Sequence, residues 1–135
     1  MTKILITGAS GMVGKHLVDM CLQKGYFVKG TDIRYDERYS EEKYWGENFD
    51  FQHGNLNNYQ RCLELVSDVD VVFHVAGVKG SPKRAAEQPN DYFTPMLQMN
   101  TNMAEAARIG AVEWYVYTST IGVYQPADYF REDDV

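Results

Sequence analysis

Short, nearly continuous apolar runs recur along the chain, separated by longer segments in which apolar residues return every three or four positions. The short runs predict buried β-strands, and they cover residues 4–7, 26–31, 49–53, 69–76 and 113–118. The longer segments are typical of amphipathic helices. Because strands that alternate with helices form parallel sheets with right-handed crossovers, the pattern predicts an α/β protein.

The same pattern predicts three main helices. The first follows the first strand, and Asn57 or Asn58 is expected to cap the second. The second helix would bury one face, formed by Tyr59, Leu63 and Val66. The third is predicted over residues 91–109, and Gly110 would end it. Methionine at helical spacing is typical of core packing, so the buried side of this helix is expected to carry Met96, Met99, Met103 and Ala107.

Two segments lack a clear period. Residues 33–48 are rich in Tyr, Glu, Arg and Lys, and we expect a solvated loop with a short helix there. Residues 125–135 form an acidic stretch that is expected to be irregular.

Composition narrows the class of protein. The 135 residues are 44% hydrophobic and 24% charged, which suits one globular domain. The net charge of −6 argues against nucleic acid and anionic membranes as partners. Met1 leads almost directly into the first strand and no apolar run is long enough for a membrane span, so we expect a cytoplasmic protein. Cys21 and Cys62 fit buried free thiols, and no cluster of metal ligands is expected.

The most informative chemistry lies at the first strand. This strand runs directly into Gly8, Gly11 and Gly14, which open a helix, and the second strand leads to Asp32. Gly8 allows a sharp turn, Gly11 lets the backbone approach a pyrophosphate, and Gly14 lets the helix lie close to the sheet. A carboxylate about 20 residues further on can accept both ribose hydroxyls of NAD and would repel the 2′-phosphate of NADP. The arrangement predicts a dinucleotide site.

Two other kinds of glycine-rich loop are alternatives to a dinucleotide site. A glycine-rich turn in another kind of α/β protein would lack the ordered strand, helix, second strand and acid. A Walker A loop would need glycine at Ala9 and Ser or Thr at His16, after Lys15. These residues exclude the Walker A loop.

Three ordered motifs, TGASGMVG, DVVFHVAGVK and NMAEAARIGAVEWYVYTSTIGVY, resemble the extended short-chain dehydrogenase/reductase family. The resemblance is to its NAD-dependent epimerase/dehydratase branch, and it spans essentially the whole chain. It implies a Rossmann-type doubly wound parallel sheet, here truncated after the fifth strand. It also implies NAD as the cofactor and a nucleotide sugar as the substrate of the complete protein.

The resemblance implies which residues hold the cofactor. Those expected at the pyrophosphate are Gly8, Ala9, Gly11, Met12, Val13 and Gly14. Those expected at the adenosine are Asp32, Ile33, Arg34, Asn55 and Leu56. Those expected at the nicotinamide end are Ala76, Gly77, Lys79 and Thr118. Arg34 lies just after Asp32, and an NADP site would use an arginine at this place. An NADP-dependent reductase of the same family therefore stays an alternative.

Catalysis in this family needs a Ser/Thr hydroxyl and a Tyr-x-x-x-Lys pair. By match to the motif, Thr120 takes the place of the catalytic hydroxyl. Tyr39 and Lys43 have the spacing of the pair, but they fall in the adenosine half, and we expect an exposed polar segment there. His74 is expected to be a core histidine satisfied by hydrogen bonds, and His16 and His53 are given no catalytic role either.

The resemblance therefore implies that residues 1–135 are a partial NAD-binding domain. The sixth strand, the Tyr-x-x-x-Lys segment and the C-terminal substrate domain would be absent, and the chain alone would be inactive. Two further alternatives stay open: a non-catalytic module that binds NAD(H) or senses redox state, and a structural partner whose fifth strand pairs with another chain, for example in a homodimer.

Overall fold

Among the residues that the structure describes, five strands form the sheet: β1 (Lys3–Thr7), β2 (Phe27–Asp32), β3 (Phe49–His53), β4 (Val71–His74) and β5 (Trp114–Tyr117). All neighbours run parallel, in the order β3-β2-β1-β4-β5. The structure, a computed structural model, describes residues 1–120 and 123–134. The predicted α/β class and the doubly wound Rossmann-type sheet are confirmed.

The helices are α1 (Met12–Gln23), α2 (Tyr59–Val66), α3 (Pro82–Glu87) and α4 (Asn90–Ile109). Short 3₁₀ turns cover Glu37–Ser40, Glu42–Tyr44 and Glu132–Asp134. None of the helices within the described residues is both long and apolar enough to cross a membrane. The predicted strands and the three main helices are confirmed, whereas the apolar pattern does not predict α3.

Two cores lie on opposite faces of the sheet. On one face, Leu5 and Val72 pack against Leu65 of α2 and Met103 of α4. On the other face, the core includes Ile4, Ile6, Val18, Val28, Tyr39 and Tyr44. The methionine prediction for α4 is confirmed, because Met99 and Met103 belong to the first core and Met96 packs against it.

Two expectations about side-chain exposure are wrong. The segment between β2 and β3 is not simply solvated, because Tyr39 and Tyr44 are each only 4% exposed. In α2, the buried residues are Cys62, Leu65 and Val66, whereas Tyr59 is exposed, so the buried face lies beside the predicted one. The cap of this helix is one of the two predicted residues, since the Asn58 side chain accepts from the Arg61 N–H.

Cys21 and Cys62 are buried free thiols, as predicted. Burial raises the pKa of both thiols, to about 11 for Cys62. Each thiol therefore behaves as a small apolar side chain rather than as a thiolate.

Candidate functional site

The loops after β1 and β4 meet at the carboxyl edge of the sheet. β1 pairs with β2 on one side and β4 on the other, so the connections leaving β1 and β4 go to opposite faces. Gly8 has a φ of +66°, and a Cβ there would lie 2.8 Å from the Cα of Ala76. The Ala76 N–H also donates to Thr7 Oγ1 at 3.2 Å. The expected sharp turn at Gly8 is confirmed. The close approach of the two backbones is a second reason why this position needs glycine.

The glycine-rich turn, residues 8–11, packs tightly against the start of α1. The Gly11 N–H donates to the Gly8 carbonyl at 2.8 Å. A Cβ on Gly14 would overlap the Gly8 carbonyl and lie 2.9 Å from Ala9 Cα. Gly14 therefore lets the helix lie close to the turn. The sequence predicted this close packing against the sheet.

The first turn of α1 is open to a ligand. Gly11 is the N-cap residue, it supplies no side-chain cap, and the first turn contains no acidic residue. Met12 is 78% exposed and Val13 48%. Because the first backbone N–H groups of a helix have no partner inside it, this end of α1 presents donors and the positive end of the helix dipole. Such an end can bind a phosphate group.

Asp32 lies beside this turn and connects it to the end of β2. Its Oδ2 accepts from the Ser10 N–H and its Oδ1 accepts from the Arg34 N–H, both at 3.2 Å. The Ser10 hydroxyl donates to the Arg34 carbonyl at 2.8 Å. A carboxylate has about four lone-pair sites, so both oxygens can still accept from ribose hydroxyls. The role of Ser10 was not predicted from the sequence.

Tyr39 supports the turn from behind. Its hydroxyl donates to the Ala9 carbonyl at 2.5 Å, while the Ala9 N–H donates to the Thr31 carbonyl at 3.1 Å. Burial raises the pKa of Tyr39, so the phenol stays neutral and keeps its proton for this bond. The expected exposure of the Tyr39 segment is thus corrected. Tyr39 and Tyr44 within the polar stretch, followed by Phe49 and Phe51 of β3, were the signal for a buried aromatic cluster.

The residues expected around the adenine are placed unequally. Ile33 and Asn55 are exposed near the ends of β2 and β3, and the Ile33 carbonyl contacts His53 Nε2 at 2.9 Å. Asn55 Oδ1 already accepts from the Asn57 N–H at 3.0 Å. Leu56 is only 6% exposed, and its side chain packs in the core under α2 and α4. The Leu56 side chain therefore cannot border a ligand at this edge, and its carbonyl already accepts from Asn102 Nδ2 at 2.9 Å.

The residues expected at the nicotinamide end lie after β4 and β5. Ala76 is half-buried against Gly8, while Gly77 and Lys79 are exposed in the segment that leads to α3. Thr118 and Thr120 are exposed just beyond β5, and the Thr120 carbonyl accepts from the Val123 N–H at 3.2 Å. The structure thus brings Ala76 to the glycine-rich turn and leaves the others at the same edge of the sheet, facing solvent.

A hydrogen-bond chain centred on the buried His74 joins β1, β4, α4 and β5. Thr7 Oγ1 contacts His74 Nδ1 at 2.8 Å, and His74 Nε2 contacts Asn100 Oδ1 at 2.9 Å. Asn100 Nδ2 donates to the Tyr117 hydroxyl at 3.0 Å. Burial lowers the pKa of His74, and the bond to Asn100 offsets this only in part. The prediction of a satisfied core histidine is confirmed, whereas His16 and His53 are exposed.

Within residues 1–120 and 123–134, no three His, Cys, Asp or Glu side chains are grouped as ligands for a metal ion. The polar chemistry of this edge is instead that of backbone N–H groups, one carboxylate and hydroxyls. That set suits a ligand carrying phosphates and sugar hydroxyls.

Residues 4–135 match the model of the NAD dependent epimerase/dehydratase family, and the chain therefore belongs to this family. GDP-mannose 3,5-epimerase 1 of Oryza sativa subsp. indica is 28% identical over 122 residues, which are 90% of this chain and 32% of the rice protein. UDP-glucose 4-epimerase of Klebsiella pneumoniae is 27% identical over 128 residues, which cover 90% of this chain and 91% of that sequence.

A solved structure agrees with this assignment. MoeE5 in complex with UDP-glucuronic acid and NAD has a TM-score of 0.82 and 27% identity, over 98% of this chain and 42% of MoeE5. The chain thus spans about a third of the rice enzyme and less than half of MoeE5.

Proposed function

We propose that this chain is the cofactor-binding half of an NAD-dependent epimerase/dehydratase. In the complete protein, hydride would pass between a carbon of a nucleotide sugar and the nicotinamide of NAD. The MoeE5 structure supports this ligand pair, because it is a complex with UDP-glucuronic acid and NAD. The proposal includes a cytoplasmic location and excludes nucleic acid as a partner, which the net charge of −6 supports.

The observation that carries the proposal is the position of Asp32 beside the glycine-rich turn. One carboxylate oxygen lies 3.2 Å from the Ser10 nitrogen, next to the open first turn of α1. A dinucleotide can therefore place its pyrophosphate at the helix end and its adenosine ribose at Asp32. In this arrangement the pyrophosphate side would be formed by Gly8, Ala9, Gly11, Met12, Val13 and Gly14.

The same carboxylate supports NAD over NADP. Asp32 would accept from the two ribose hydroxyls of NAD, whereas a 2′-phosphate would meet a like charge. Arg34 is exposed next to it and is the residue that would favour NADP if Asp32 turned away. Asn55 and Ile33 would border the adenine, and the backbone of Leu56 would lie behind it.

Hydride transfer is assigned to the complete protein. Thr120 is proposed to donate its hydroxyl to the reacting substrate oxygen, with Ala76, Gly77, Lys79 and Thr118 around the nicotinamide end. The Tyr-x-x-x-Lys spacing of Tyr39 and Lys43 does not supply the acid/base pair, because the Tyr39 hydroxyl is bonded to the Ala9 carbonyl. We therefore expect no turnover from the 135 residues alone.

Calorimetric titration of the chain with NAD and with NADP tests the proposal. NAD at millimolar concentration should release heat and raise the unfolding temperature, and NADP should bind more weakly. In Asp32→Ala the affinity for NAD should fall by roughly 10- to 100-fold, since two charge-assisted hydrogen bonds are lost, and the preference over NADP should disappear.

Asp70→Ala is the matched control. Asp70 also accepts from a backbone N–H, that of Lys3 at 2.7 Å, but at the opposite edge of the sheet. It should lose stability without losing NAD affinity. Absence of heat and of thermal shift with NAD contradicts the proposal, and tighter binding of NADP by the unaltered chain would assign the ribose end to Arg34 instead.

A second candidate is a structural partner that pairs through β5, since β5 is an edge strand and Trp114 is 69% exposed. Size-exclusion chromatography with light scattering separates the two candidates. A strictly monomeric chain that binds NAD removes this second candidate and the homodimer with it.

A further inference from the structure

The peptide group between Ala9 and Ser10 is held at both ends by side chains from outside the glycine-rich turn. At one end, the Ala9 carbonyl accepts from the Tyr39 hydroxyl at 2.5 Å. At the other end, the Ser10 N–H donates to Asp32 Oδ2 at 3.2 Å. Because a trans peptide is planar, its C=O and N–H point in opposite directions and rotate together. The group that fixes the carbonyl therefore also fixes the direction of the N–H.

Tyr39 is itself held rigidly. Its ring lies 4.9 Å from that of Phe49, 5.0 Å from that of Tyr44 and 5.4 Å from that of Phe51, measured between centroids. The aromatic segment is anchored to α1 through Asp19, which accepts from the Tyr44 hydroxyl at 2.5 Å and from Arg38 at 2.8 Å. The hydroxyl of Tyr39 thus acts as a fixed donor on the side of the turn that faces the core.

We infer that Tyr39 is a positioning residue of the cofactor site: its hydroxyl sets the orientation of the Ala9–Ser10 peptide and, through the Ser10 N–H, the position of the Asp32 carboxylate. This inference rests on the proposed function of Asp32 as the ribose acceptor. Without the hydroxyl, the carbonyl of the fully buried Ala9 loses its donor. The peptide then gains freedom to rotate, and the bond from Ser10 to Asp32 weakens with it.

The role is indirect, so the test must separate it from a loss of stability. Tyr39→Phe removes the hydroxyl and keeps the ring in the aromatic cluster. Tyr44→Phe is the matched control: it removes a phenol bond of the same length from the same cluster, keeps the ring and the Arg38–Asp19 ion pair that anchors the segment to α1, and does not touch the turn. Both variants should unfold at lower temperature, and only Tyr39→Phe should bind NAD more weakly, by roughly three- to tenfold.

A double-mutant cycle with Asp32→Ala gives the readout that a merely structural role would not move. If Tyr39 acts through Asp32, adding Tyr39→Phe to Asp32→Ala should change the NAD dissociation constant by less than about twofold. Effects of the two substitutions that simply multiply would overturn the coupling and with it the inference.

Amide hydrogen exchange tests the contact without any cofactor. Exchange at the Ser10 N–H should accelerate in Tyr39→Phe and stay unchanged in Tyr44→Phe, while amides of β1 serve as the internal reference. A chain that fails to bind NAD but shows this acceleration overturns the proposed function and leaves the contact to the turn in place. A chain that binds NAD equally well with and without the Tyr39 hydroxyl overturns the inference alone.

Discussion

The carboxyl edge of the sheet has two halves, one after β1 and β2 and one after β4 and β5, and they differ in how firmly hydrogen bonds within the protein hold their loops. On the β1–β2 side, the turn of residues 8–11 is held by Thr31, Asp32 and Tyr39 through hydrogen bonds of 2.5 to 3.2 Å. On the β4–β5 side, the side chains of Lys79 and Thr118 are exposed to solvent. A site that is ordered before binding loses less conformational entropy when the ligand arrives. We therefore expect the adenosine and pyrophosphate contacts to supply most of the affinity for the cofactor.

The largest expected effect comes from comparing one glycine substitution in each half. A Cβ at Gly14 would overlap backbone atoms of Gly8 and Ala9, whereas a Cβ at Gly77 would meet no atom within 4 Å. Gly14→Ala should lower the free energy of unfolding by about 4 kcal/mol or more, because backbone on both sides must move. Gly77→Ala should change it by less than about 0.5 kcal/mol.

Urea unfolding monitored by circular dichroism measures both variants. In a helix, Gly→Ala is normally stabilising by about 1 kcal/mol, so a loss at Gly14 can only come from the overlap with the turn. Equal stability of the two variants would show that α1 is free to move away from the turn, and the rigidity assigned to the first half would be wrong.

The difference between the halves also explains what could be predicted from the sequence. The left-handed turn at Gly8 and the close packing at Gly14 follow from local backbone chemistry, which a short motif expresses directly. Tyr39 contacts Ala9 across 30 positions of sequence, from a segment without helical or strand periodicity. Such a contact is set by tertiary packing of the aromatic cluster, and no spacing rule indicates it.

The sequence predicted less well which side chains point into the core. The predicted face of α2 is right at Val66 and wrong at Tyr59 and Leu63, which lie at the margin, whereas Cys62 and Leu65 belong to the core. For Leu56, the family motif indicated a place near the adenine, but only packing shows that its side chain points into the core.

The second test concerns the exposed half and uses the complete protein. Thr120→Val should lower kcat by an amount equivalent to roughly 2 to 4 kcal/mol, because a hydroxyl that orients the reacting oxygen acts mainly in the transition state. The dissociation constant of NAD should change little if, as proposed, the main cofactor contacts lie in the ordered half. Steady-state kinetics and calorimetry of the same preparation separate the two effects.

Ser119→Ala is the control for Thr120, because it removes the neighbouring hydroxyl of the same segment and has no assigned role. A similar loss of kcat in both variants would indicate a general disturbance after β5. A loss of NAD affinity in Thr120→Val as large as the loss of turnover would place the main cofactor contacts in the exposed half, and the contrast between the two halves would be wrong.

The smallest expected effect concerns the hydrogen-bond chain through His74, which joins the two halves. Thr7 accepts from the Ala76 N–H, so its own proton is available for His74 Nδ1, and Nε2–H then donates to Asn100. The neutral ring satisfies every bond, and burial lowers the pKa of His74 below its usual value. In the unfolded chain, histidine titrates near pH 6.5. The unfolded state therefore binds the proton first as the pH falls.

Stability from this residue should be complete above about pH 6.5 and decline below it, toward the lower pKa of the folded state, by at most about 1.4 kcal/mol per pH unit. Urea unfolding at about pH 7.5 and about pH 5.5 measures the decline, which lies mostly above the range where carboxylates titrate. His74→Gln should reduce it, whereas His16→Gln, at an exposed position, should keep it. If both variants show the decline of the unaltered chain, protonation of His74 does not cause it, and the junction between the two halves depends on backbone contacts such as that between Gly8 and Ala76.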